Sequence, residues 1–133
     1  MERTYDATDA NLREVLAFVE EELEKHDANM KSTMSITVAV EEIFVNIAHY
    51  AYEGAQGKVT IGMGFEGDDV EIYFIDNGIP FDPLAKEDPD VKAKAEDRDI
   101  GGLGIYMVKT SMDHCEYERR NSQNIFTMRK AIK

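Results

Sequence analysis

"SITVAVEEIFVNIAHYAY", Ser35 to Tyr52, is the stretch around which the rest of the chain is ordered. At about 100° per residue, Ile36, Ala39, Val40, Ile43, Ile47 and Tyr50 fall on one broad apolar arc of a helix, and Val38, Val45 and Tyr52 form a second stripe opposite it. Glu42, Asn46 and His49, spaced i, i+4, i+7, share the strip between them. A helix apolar on two sides is expected to be buried on two sides, so these polar groups should open into a cleft. The pattern carries back to Ser32, read as the N-cap, and forward to Tyr52, where Gly54 and Gly57 stop it. A Glu and an Asn one turn apart are in isolation an ordinary solvated pair. Facing a cleft, they combine a carboxylate suited to take a proton with an amide oxygen suited to a hard cation such as Mg²⁺.

Upstream, Leu12, Val15, Leu16, Phe18, Val19 and Leu23 recur at helical spacing, with Asp9 or Asn11 as cap, and this helix should fade across residues 26–29. Residues 2–6 are too few to assign alone. Downstream, "KVTIGMGFE" and "DVEIYFID" alternate with period two around "GDD" and predict a β-hairpin. "NGIPFDPLAKEDPDVKAKAEDRD" follows, with all three prolines of the chain and mostly charge, too polar to pack and too long for a plain connection. It reads as a lid over residues 79–100. "LGIYMVKTSMD" then predicts a helix, and "HCEYERR" and "NIFTMRKAI" two closing strands. This order predicts one domain over residues 1–133: a two-layer α/β sandwich whose mixed, mostly antiparallel sheet is covered on one face by helices.

Composition narrows the partners. With 27 Asp and Glu against 15 Lys and Arg among 133 residues, the formal charge is −12. Such a surface repels nucleic-acid phosphates and anionic headgroups, so direct binding to nucleic acid or membrane is not expected, and basic protein surfaces are better partners. Cys115 is the single cysteine, which excludes an internal disulfide and fits a reducing compartment. The start, "MERTYDATDANLREV", lacks the apolar core of a signal peptide, and no run approaches the roughly 18 apolar residues of a membrane span. A cytoplasmic location is expected.

Two further clusters carry chemistry. Asp76, Asn77 and Gly78 end an alternating strand; this is turn chemistry, yet Asp76 falls where the pattern is still apolar, and a buried acceptor wants a donor such as an exocyclic amine. Gly101, Gly102 and Gly104 sit at the mouth of the predicted third helix. A dinucleotide fingerprint would need a glycine where Met107 stands, and a P-loop ending at Lys109 and Thr110 would need glycines where Leu103 and Val108 stand. What survives is a bare-backbone entry to a helix, offering N–H groups to an anion, or else a tight loop-to-helix turn.

Set in order, Glu42-x-x-x-Asn46 on a helix, Asp76-x-Gly78 after a strand, and Gly101-Gly102-x-Gly104 behind a charged lid resemble the ATP-binding domain shared by DNA gyrase, certain chaperones, mismatch-repair ATPases and histidine kinases, the Bergerat or GHKL fold. The likeness covers nearly the whole chain. Within that superfamily the length and the ending "MDHCEYERRNSQNIFTMRKAI" look most like the bacterial anti-sigma-factor serine kinases. The resemblance implies a protein that uses ATP and Mg²⁺, holds a sigma factor inactive, phosphorylates a serine of a small STAS-domain antagonist, and acts as a homodimer. It implies Glu42 as general base, Asn46 as Mg²⁺ ligand, Asp76 as acceptor for the adenine amine with Gly78 beside the ring, and Thr127 as support for the adenine end. Gly101, Gly102, Leu103 and Gly104 would lie along the phosphates, with His49 as a further contact. Of the lid cations Lys86, Lys92, Lys94 and Arg98, Arg98 near the glycines is the one placed to neutralise the triphosphate, and most of the set reads as a solvated charge run. Many relatives carry a His four residues after the metal-binding Asn, where this chain has Tyr50. A rival reading of the same residues is a module that binds ATP and grips partners without transferring phosphate. Another is an orphaned histidine-kinase ATPase domain.

Overall fold

The computed structural model describes residues 1–85 and 100–133, with side chains from residue 104 onward in the second segment. The lid cations Lys86, Lys92, Lys94 and Arg98 lie outside the described residues. In chain order the elements are β1 (Glu2–Asp6), α1 (Leu12–Lys25), α2 (Met30–Asn46), β2 (Lys58–Glu66), β3 (Asp69–Asp76), α3 (Ile100–Ser111), β4 (His114–Arg120) and β5 (Gln123–Ala131). They form the expected two layers. The described sheet has the order β1-β2-β3-β5-β4 and is antiparallel at every pairing. Residues 2–6, too short to assign from sequence, pair with β2 from Glu2 opposite Gly62 to Asp6 opposite Lys58.

Alternation decides which side chains meet the helices. Along β3, Val70, Ile72, Phe74 and Asp76 are buried, while Asp69, Glu71, Tyr73 and Ile75 are only partly covered. Val70, Ile72 and Phe74 join Phe18 and Leu23 of α1, Ile36, Val40 and Phe44 of α2, and Phe126 and Met128 of β5 in one core. Each such side chain contributes about 1.5–3 kcal/mol by leaving water. Among the described residues no helix is long and apolar enough to cross a membrane.

Three details of α2 depart from the sequence reading. Its N-cap is Asn29 rather than Ser32: Asn29 Oδ1 accepts from Ser32 N at 2.8 Å, while Ser32 Oγ, already in the first turn, donates to the Ala131 carbonyl at 2.9 Å. The α-helical repeat ends at Asn46, and Ile47–Ala51 form a π-helical turn. Wider winding rotates the residues after Asn46 away from positions extrapolated at 100°. Finally, the second apolar side is only partly buried: Val45 and Tyr52 are half-covered, while Val38 is 50% exposed.

Candidate functional site

Beneath the C-terminal half of α2 a cleft opens between the helices and the sheet, walled by Ile43, Ile47, Ile105 and Phe126. Asp76, 4% exposed, stands in it at the end of β3. A carboxylate buried to this degree requires donors, and it has two on one oxygen: Gly78 N and Asn124 Nδ2, each 2.9 Å from Oδ1. Among the described residues Oδ2 receives no hydrogen bond. It is an acceptor offered to whatever enters the cleft.

Asn124 holds that arrangement. It pairs with Asp76 across β3 and β5, and all its amide valences are used. Nδ2 donates to Asp76 Oδ1 and, at 2.8 Å, to the Ile79 carbonyl; Oδ1 accepts from Tyr117 OH at 2.5 Å and from Phe81 N at 3.4 Å. Because a backbone N–H can only donate, Phe81 fixes which end of the amide faces Asp76. Arg119 Nη1 donates to the Gly78 carbonyl at 2.9 Å from the other side of the loop. Gly78 is held against the end of the π turn, with Ile79 N bonded to the Ala51 carbonyl at 2.8 Å, and a Cβ at residue 78 would collide with the Ala51 backbone.

The second half of the site is the α2–α3 contact. Glu42 packs over Gly104, whose missing side chain leaves the space the carboxylate occupies. Burial raises the Glu42 pKa above its ordinary value, a side-chain hydrogen bond with Asn46 opposes that shift, and neighbouring Glu41 adds to it. Asn46, one turn further along α2, lines the cleft and carries an amide oxygen able to serve as a ligand there. That oxygen suits a hard cation such as Mg²⁺, and the residues fit the metal in this way. Among the described residues there is no group of three or more His, Cys, Asp or Glu able to hold a metal alone. A cation here would take its remaining ligands from phosphate and water.

Asn46 and Asp76 therefore share one cleft, Gly78 braces Asp76, and Glu42 meets Gly104 in the adjoining groove. Gly101, Gly102 and Leu103 belong to the first turn of α3, where backbone N–H groups lack helical acceptors. Two expected residues are placed elsewhere. His49 Nε2 bonds the Asp9 carboxylate at 2.8 and 2.9 Å in a separate groove beside the same helix end, and it is Tyr50 that lines the cleft, a consequence of the π turn. Thr127 sits opposite Tyr73 and Glu116, in the alternate set to buried Asn124, Phe126 and Met128. The contact with Asp76 comes from Asn124. Arg98 lies outside the described residues. Asn124, Tyr117 and Arg119 carried no motif in the sequence; the available signal was that a strand-end Asn on the apolar phase of β5 needs a polar partner.

Comparison with known proteins bears on the family and the fold. The profile of the histidine kinase-like ATPase domain matches residues 5–130. The chain is 36% identical over 80 residues to the serine-protein kinase RsbW of Bacillus cereus (strain B4264), covering 57% of this chain and 50% of that protein. It is 35% identical over 80 residues, with the same 57% and 50% shares, to RsbW of Bacillus mycoides (strain KBAB4). The chain thus spans about half the length of the curated relatives it matches. The crystal structure of the RsbU and RsbW domains of Rv1364c from Mycobacterium tuberculosis superposes with a TM-score of 0.67 at 18% identity, over 99% of this chain and 32% of that one. The Acinetobacter baumannii histidine kinase AdeS superposes with a TM-score of 0.51 at 13% identity, over 100% of this chain and 68% of that one. These two likenesses concern the fold. From a family profile matched over residues 5–130, on a structure that folds the same way, it follows that the chain belongs to the histidine kinase-like ATPase domain family.

Proposed function

We propose that this chain is a single ATP-binding domain that transfers the γ-phosphoryl group of ATP to a serine hydroxyl of a partner protein, and that it acts as an anti-sigma-factor kinase. In that role it sequesters a sigma factor, phosphorylates a STAS-domain antagonist, and works as a cytoplasmic homodimer with a lid over residues 79–100. The observation that carries the reading is the succession of Glu42 and Asn46 one turn apart on α2, a proton acceptor beside a cation ligand, with Asn46 lining the cleft that also holds the Asp76 acceptor. Similarity to the RsbW serine-protein kinases supports the choice of serine as acceptor.

Asp76 Oδ2 accepts the exocyclic amine of adenine, while Ile43, Ile47 and Phe126 cover the ring. The N–H groups of the first turn of α3 face the phosphates. Mg²⁺ held at Asn46 would supply charge neutralisation for the triphosphate, which a chain of net charge −12 needs. Glu42 takes the proton as the serine oxygen bonds to the γ-phosphorus and the bridging oxygen leaves with ADP. The test is transfer of label from [γ-³²P]ATP to STAS-domain proteins of the source organism. Wild type should label one of them and Glu42→Gln should lose about 10²–10⁴ in rate while binding ATP equally well. A wild type that binds ATP and labels none would leave a non-catalytic binding module.

A further inference from the structure

The polar pair of α2 continues a row that begins at its N-terminus. Met30, Met34, Val38, Glu42 and Asn46 are spaced i, i+4 and lie along one ridge of the helix. The first three are 80%, 63% and 50% exposed. Met107 of α3, 50% exposed, faces the same ridge across a groove lined by Met34, Val38, Glu42 and Gly104, with hydroxyl residues Ser35 and Thr110 at its edges. A stripe of this size and flexibility, unpartnered among the described residues, is characteristic of a surface that receives another chain.

What it receives follows from how the two hollows meet. Glu42 lines the groove and does not line the nucleotide cleft; Asn46 lines the cleft and does not line the groove. Glu42 and Asn46 stand one turn apart on α2, so the two spaces adjoin at that turn. A phosphoryl acceptor must reach the base from a direction the nucleotide does not fill, with donor and acceptor oxygens roughly in line. The groove supplies that direction. Its described lining carries one ionisable side chain, Glu42 itself, so an occupant gains by being apolar and uncharged there.

We infer that the α2–α3 groove is the docking channel for the serine-bearing segment of the protein substrate, with apolar side chains seated between Met34, Val38 and Met107 and the hydroxyl delivered to Glu42. This rests on the kinase reading above.

The experiment uses the full chain, ATP, and the STAS-domain protein that wild type labels. Met34→Glu and Met107→Glu place charge at exposed positions of the groove without touching the nucleotide cleft. They should raise KM for the protein substrate at least tenfold, leave the ATP dissociation constant unchanged, and be reversed in the Met34→Leu and Met107→Leu counterparts. Unchanged KM in both Glu variants overturns the inference while the kinase reading stands. An effect confined to sedimentation behaviour assigns the groove to contact between copies and also overturns it. If wild type labels no STAS-domain protein, the kinase reading fails first and the inference falls with it, a result separable from the others because it precedes any variant.

Discussion

Asn124 Nδ2 lies 2.9 Å from Asp76 Oδ1, across the central pairing of β3 with β5, and joins Gly78 N in occupying that carboxylate oxygen. With Oδ1 saturated by Asn124 and Gly78 N, the acceptor left for a ligand is Oδ2. Asn124→Ala removes the Nδ2 donor and the acceptor of Tyr117 OH. The expected cost is about 1–3 kcal/mol of stability. ATP affinity should fall as well, and preference for ATP over inosine triphosphate, whose ring offers an acceptor where adenine offers an amine, should fall by roughly tenfold or more. Calorimetric titration of both nucleotides reads this directly. A variant that loses stability and keeps its discrimination would limit Asn124 to a structural role.

Glu42 has its pKa raised by burial first, with the Asn46 hydrogen bond opposing and Glu41 assisting. As a base it works ionised, so the acid limb of kcat/KM should lie above the ordinary carboxylate value of 4.5. Glu41→Gln removes one raising cause and should move that limb to lower pH without loss at the plateau. The sign for stability is opposite to that of a salt-bridged acid. Folding favours protonated Glu42, a contribution fully present below its unfolded pKa and lost as pH rises through the folded one. Glu42→Gln should therefore raise Tm at pH 7, with the advantage shrinking toward pH 4, and thermal scans across pH check it.

Two glycines of the site separate stability from activity. At residue 104 a Cβ would meet the flexible end of Glu42, whereas at residue 78 it would meet the Ala51 backbone. Gly104→Ala should leave Tm near or above wild type, since Ala is favoured in a helix by up to about 1 kcal/mol, and should lower phosphotransfer by displacing the base. Gly78→Ala should destabilise by about 1–3 kcal/mol because backbone cannot step aside. Equal effects of the two in both assays would contradict the packing described here.

Most of the fold was legible because its signals are periodic. Alternation fixed β2 and β3 and their helix-covered face, and the apolar arcs fixed α1 and α2. What escaped was local. The π turn at Ile47–Ala51 has no pattern of its own, so His49 was extrapolated onto the strip of Glu42 and Asn46 and instead meets Asp9. Five polar residues of β1 carry too little apolar signal to be seen without their partner strand. In the site, Glu42, Asn46, Asp76 and Gly78 were readable as motifs, each being a residue whose chemistry is unusual for its place. Asn124 was hidden because its role depends on register: β5 puts residue 124, not 127, opposite Asp76.

The central claim is that one cleft joins an adenine acceptor at Asp76 to a cation ligand at Asn46. Calorimetric titration of ATP into wild type, Asp76→Asn and Asn46→Ala, each with Mg²⁺ and with chelator, tests it most directly. The account predicts binding in wild type that weakens sharply without Mg²⁺, loss of affinity in Asp76→Asn under both conditions, and insensitivity to Mg²⁺ in Asn46→Ala. Wild-type binding that is the same with and without the metal, or unaffected by Asp76→Asn, would contradict it.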